Sequence, residues 1–135
     1  MCYKFVTEIH AYNSMGSMQF SLLGSVYETL NDLINGLEDD IEFAILSGDD
    51  LKDFNCEIIV MVMEDVHRPR AFKPTQFFNL IKINDNTVSV YSKGFKKLFE
   101  SVGSEYAEHI ELIIKRTIFG WKLDSKFSNM TFINL

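Results

Sequence analysis

Cys56 to Glu64, CEIIVMVME, is the stretch that most restricts how this chain can fold. From Ile58 to Met63 it is apolar at every position, so a strand here is apolar on both faces. Such a strand belongs in the middle of a sheet and is covered on both sides. The rest of the chain must supply its neighbours and its cover. With 135 residues, one domain over 1–135 is the expected organisation. A chain of this length buries roughly two thirds of the surface it exposes when unfolded, so it needs no metal or disulfide staple.

The neighbouring strands are readable. Tyr3 to Tyr12 alternates, with Tyr3, Phe5, Thr7, Ile9 and Ala11 on one side and Lys4, Val6, Glu8, His10 and Tyr12 on the other. NSMGS (13–17) is a turn, and Met18 to Leu23 completes a hairpin. Phe77–Ile83 and Thr87–Ser92 form a second hairpin across Asn84-Asp85-Asn86, residue types that tolerate left-handed backbone. Ile41 to Leu46 reads as a further strand, and Met130 to Asn134 as a last one. The segment Asp65 to Pro74 holds both prolines and reads as irregular.

Three helices are expected. Ser25-Val26-Tyr27-Glu28 has the form of a capping box, Tyr27, Leu30, Leu33, Ile34 and Leu37 recur at helical spacing, and Gly36 is a natural stop. Lys93 to Val102 places Phe95, Leu98, Phe99 and Val102 on one face. Ser104 caps a third helix reaching Phe119, with acids in its first turn and Lys115 and Arg116 in its last. The sum is an α+β fold, a mostly antiparallel sheet carrying about three helices.

Charge is lopsided. The net charge is −6, yet residues 21–65 hold 12 acids and one base, while residues 66–135 hold 6 acids and 11 bases. The acids concentrate in EDDIEFAILSGDDLKDFNCE (38–57), with carboxylates at Glu38, Asp39, Asp40, Glu42, Asp49, Asp50, Asp53 and Glu57 opposed by Lys52 alone. On the strand reading of 41–46 these form two clusters flanking an apolar scaffold. Fixed carboxylates of this kind complement a basic protein such as a nuclease, whose cleft holds phosphate, and they speed its association. Phe43 and Phe54 would serve as anchors beside them.

Other chemistries find less to stand on. His10, His67 and His109 are scattered, and the sequence contains no H-E-x-x-H or G-x-S-x-G. A small enzyme would most readily use His67 with Arg68 and Arg70. GDDLKD does not match the alternating ligands of an EF-hand loop, so no metal or other cofactor is expected. HRPRAFK (67–73) with Lys93, Lys96 and Lys97 has ingredients for nucleic acid, but a pI of about 5.0 opposes it. The longest purely apolar run, Ile58–Met63, is far short of the roughly 20 residues of a membrane span. No signal-peptide pattern opens the chain, and Cys2 and Cys56 fit no metal spacing. Two free thiols in the cytoplasm are expected.

The small, acidic, cysteine-poor chain with its EDD…GDD…D stretch resembles the immunity proteins that accompany bacterial toxins, including those of contact-dependent inhibition systems. The resemblance covers general character and carries no residue roles. It implies a cytoplasmic, non-catalytic inhibitor of a basic toxin or nuclease; the charge pattern, and not the resemblance, points to Glu38, Asp39, Asp40, Glu42, Asp49, Asp50, Asp53, Phe54 and Glu57 as the binding residues. An adaptor docking through a sheet edge or the C-terminal helices is the second expectation. Salt dependence of binding separates the two.

Overall fold

Cys56–Glu64 does lie at the centre of a sheet. The computed structural model describes residues 2–48, 55–67, 70–123, 127 and 129–135. Its six strands are β1 (Tyr3–Tyr12), β2 (Met18–Tyr27), β3 (Asn55–His67), β4 (Arg70–Asn84), β5 (Thr87–Val90) and β6 (Thr131–Asn134). They stand in the order β2-β1-β3-β4-β5-β6, all antiparallel except the parallel β5–β6 pair. One sheet thus joins both ends of the chain, and the fold is α+β.

The helices are α1 (Leu30–Gly48), α2 (Ser92–Ser101) and a C-terminal run. That run comprises a 3-10 turn (Glu105–His109), α3 (Ile110–Ile113), a π turn (Ile114–Ile118) and a further 3-10 turn (Phe119–Leu123). Its predicted cap is present: the Ser104 hydroxyl accepts from Tyr106 N at 3.2 Å. The helical path continues past Phe119, where the sequence ends the third helix.

All described helices pack on one side of the sheet. Phe5, Ile9 and Ala11 of β1, Cys56, Ile58, Val60 and Val62 of β3, and Val88 and Val90 of β5 are buried there. They meet Leu33, Ile34, Leu37, Ile41 and Ala44 of α1 and Phe95, Leu98 and Phe99 of α2. Phe127 closes the end of this core, edge-on to Phe132 with ring centroids 5.6 Å apart.

Three expectations are corrected. First, the capping box at Ser25 is not a helix start. β2 runs on to Tyr27, and Thr29 makes the cap, its Oγ1 accepting from Asp32 N at 3.1 Å. Second, Gly36 does not end the helix, and Ile41–Leu46 is not a strand. Both lie inside α1, whose buried positions 33, 34, 37, 40, 41, 44 and 48 keep helical spacing throughout. A six-residue apolar run reads equally as strand or helix, and the acids before it hid the continuity. The position is glycine because the Tyr27 ring lies where a Cβ would be. Third, residues on both sides of positions 68 and 69 are strand, not irregular chain. Pro74 is accommodated at a bulge, where Val62 pairs with Gln76 and Met63 with Pro74. Thr75 Oγ1 closes the bulge by donating to Val62 O at 3.2 Å.

Cys56 pairs with Ala11 at one end of β1, whereas Cys2 O accepts from Asp65 N at the other. At about 3.4 Å per residue the two thiols are far beyond bonding distance. Both are free, Cys2 exposed and Cys56 buried. Burial pushes the Cys56 thiol up to about 12. Among the described residues no helix is long and apolar enough to cross a membrane.

Candidate functional site

α1 carries five charges of one sign. Asp32, Glu38, Asp39, Asp40 and Glu42 lie in its 19 residues, which include no Lys or Arg. The helical period separates these acids. Asp40 falls on the buried stripe with Leu37, Ile41 and Ala44. Asp32, Asn35 and Asp39 face solvent, with Glu38 and Glu42 half-buried at the flank. Farther along the same outer ridge stand Phe43, 48% exposed, and Leu46, 62% exposed. Phe43 follows Asp39 by four residues and Leu46 follows Phe43 by three, so acid and apolar side chains are surface neighbours. Like charges at Glu38 and Glu42, also four apart, cost the helix a few tenths of a kcal/mol.

Asp40 is corrected from surface carboxylate to core carboxylate. It is 3% exposed. Its Oδ2 accepts from Thr7 Oγ1 at 2.9 Å and from the Tyr27 hydroxyl at 2.9 Å, and its Oδ1 accepts from Ser25 Oγ at 3.2 Å. Thr7 Oγ1 also accepts from Ser25 N at 2.9 Å. Gly24 allows this approach, since a Cβ there would collide with the Thr7 hydroxyl. Burial raises the Asp40 pKa, and the three hydroxyl donors partly offset it. Burial likewise pushes the Tyr27 phenol up to about 12, with the neighbouring Asp40 adding to it. The network pins α1 to β1 and β2 and is closed to a partner.

Glu57 sits elsewhere. It pairs with His10 and with Lys82 on the sheet face opposite α1. The structure therefore brings Glu38, Asp39 and Glu42 together and sets Glu57 apart. Asp49, Asp50, Asp53 and Phe54 lie outside the described residues.

The sequence reading passed over a polar cluster on that opposite face. His10 Nε2 meets Glu8 Oε1 at 2.8 Å, Ser21 Oγ donates to the same oxygen at 2.8 Å, and the Tyr12 hydroxyl lies 3.4 Å from His10 Nδ1. The Glu-x-His pattern at 8 and 10 signalled the pair, since alternate strand residues share a face. The hydrogen bond from His10 lowers the Glu8 pKa, against a smaller opposing effect of burial. The order of contacts is Ser–Glu–His. A hydrolytic triad needs the histidine between serine and carboxylate, to take the hydroxyl proton. Ser21 therefore has no histidine placed to take its proton.

Two cavities flank the helices. One of about 890 Å³ lies among Tyr3, Phe5, Leu30, Ile34, Phe99 and Ile113, with Glu28 at its rim. The other, about 630 Å³, is lined by Lys93, Lys96, Lys115, Glu108, Glu111 and His109. Among the described residues no group of three or more His, Cys, Asp or Glu is placed to hold a metal ion. Of His67 and Arg70 only the backbone is described, paired across the end of the β3–β4 hairpin, and Arg68 lies outside the described residues. Comparison with protein-family models, with curated proteins and with solved structures finds no match.

Proposed function

We propose that this chain is a non-catalytic binding protein of the immunity or inhibitor kind. It works in the cytoplasm and neutralises a basic toxin or nuclease through the outer ridge of α1. The observation that carries the reading is the pairing of Asp32, Glu38, Asp39 and Glu42 with the exposed Phe43 and Leu46, on a helix without a base. Carboxylates held on a 19-residue helix are preorganised, so less entropy is lost on docking than with a loose acidic tail. They steer a basic partner into encounter. Phe43 and Leu46 then supply apolar area where the charges alone would give rate more than affinity.

The test is photo-crosslinking in the source cell from a benzophenone side chain at position 43, with position 77 on the far sheet face as control. A basic polypeptide captured from position 43 only, and binding the purified protein more weakly as salt rises, supports the reading. Capture of a neutral or acidic polypeptide, or binding indifferent to salt, would contradict it.

A further inference from the structure

We infer that the sheet face turned away from the helices is the interface between two copies of this chain. The face is organised in cross-strand rows. Val26, Val6, Met61 and Phe77 form one row across β2, β1, β3 and β4. Leu23, Glu8, Ile59 and Asn79 form the next, and Ser21, His10, Glu57 and Lys82 the one after. Beyond the first row, Lys4 pairs with Met63. Leu23 is 70% exposed, Val26 60% and Phe77 58%. An antiparallel sheet with one solvated face normally turns polar side chains to water. β3 instead places Ile59, Met61 and Met63 there, and no described helix covers them.

Area and charge both suit a second copy. Strands about 4.8 Å apart and about 3.4 Å per residue make the face on the order of 750 Å². A stable interface buries about 800 Å² per partner, with an apolar centre and a polar rim. The wholly apolar Val26–Val6–Met61–Phe77 row is central here, the next row mixes Leu23 and Ile59 with Glu8 and Asn79, and the His10–Glu57–Lys82 row is at the rim. In a chain of net charge −6 this face carries both signs, so it can meet itself without the repulsion that α1 would create. A two-fold axis between the sheets, along the rows and midway between the Val6–Met61 and Glu8–Ile59 rows, sets Met61 over Ile59 of the other copy. The same axis places Lys4, whose ammonium stands 4.4 Å over the Phe72 ring and 3.9 Å from Glu28 of its own chain, at the His10 end of the His10–Glu57 pair of the other copy, an isologous arrangement. Both α1 ridges then point outward from opposite sides of the dimer.

Sedimentation velocity from about 1 to 200 µM tests this. The expected result is a wild-type dimer of twice 15.6 kDa. Leu23→Lys with Val26→Lys, at exposed positions that leave the core intact, should give a monomer with unchanged circular dichroism. Lys4→Glu and Glu57→Lys should each weaken the dimer several-fold, and their combination should recover most of it. A wild-type monomer at 200 µM would overturn the inference and leave the face to another protein. A dimer indifferent to Leu23→Lys with Val26→Lys, or one broken instead by Asp39→Lys, would also overturn it. A combination no better than either single charge reversal would refute the two-fold arrangement.

Discussion

The Tyr27 hydroxyl donates to Asp40 Oδ2 at 2.9 Å, joining the last residue of β2 to the middle of α1. With Thr7 and Ser25 it surrounds one buried carboxylate with three hydroxyl donors. Tyr27→Phe removes one of them and leaves a charged acceptor less satisfied. It should lower stability by about 1–2 kcal/mol in urea denaturation.

Asp40 also predicts a pH dependence. Its folded pKa is raised above the ordinary 3.8, chiefly by burial. The native state therefore binds this proton more tightly than the unfolded chain does. The resulting stabilisation is fully present below the unfolded pKa and is lost as pH rises through the folded one. Asp40→Asn cannot titrate, so the stability difference, wild type minus variant, should grow in favour of wild type as pH falls from 7 toward 4. Thermal melts of both proteins across that range measure it. A difference flat with pH would contradict the buried, raised carboxylate.

Glu8 has the opposite sign. His10 lowers its pKa, so its contribution is present at neutral pH and lost as pH falls through the depressed value. In His10→Ala the Glu8 carboxyl should titrate higher than in wild type. Carbon-detected NMR of the side-chain carboxyl reads the shift directly.

Gly36→Ala should destabilise, although alanine is the better helix former by about 1 kcal/mol. The added methyl meets the Tyr27 ring, and overpacking costs roughly 1–3 kcal/mol. Displacing the ring also disturbs its bond to Asp40. Chemical denaturation of the variant checks this, and a gain in stability would show that the ring yields freely.

The two cysteines should separate by reactivity. Cys2 is exposed, while Cys56 is buried with its thiol pushed up to about 12. A disulfide reagent at neutral pH should modify one thiol per native chain and the second only on unfolding.

Much of this fold was legible in the sequence because strand alternation and turn chemistry are local. β1, both hairpins, α2 and the Ser104 cap followed from residue types within a few positions. The errors fell where tertiary contacts decide. Ser25 has a cap's chemistry but spends its groups on Thr7 and Asp40, 18 and 15 residues away. Gly36 reads as a stop until Tyr27 is seen against it. Asp40 is chemically like Asp39, and only the full 19-residue period of α1 separates core from surface. A strand over Ile41–Leu46 breaks that period and hides the ridge of Asp39, Phe43 and Leu46.

The most direct measurement of the central claim is the affinity of the basic partner captured from position 43, at low and at physiological salt, for wild type, Asp39→Lys and Phe43→Ala. Both side chains point to solvent, so each substitution should change stability by no more than about 0.5 kcal/mol. Asp39→Lys should slow association several-fold at low salt and less at high salt. Phe43→Ala should speed dissociation about tenfold or more, the loss of an anchoring aromatic. Wild-type affinity in both folded variants would contradict α1 as the binding surface.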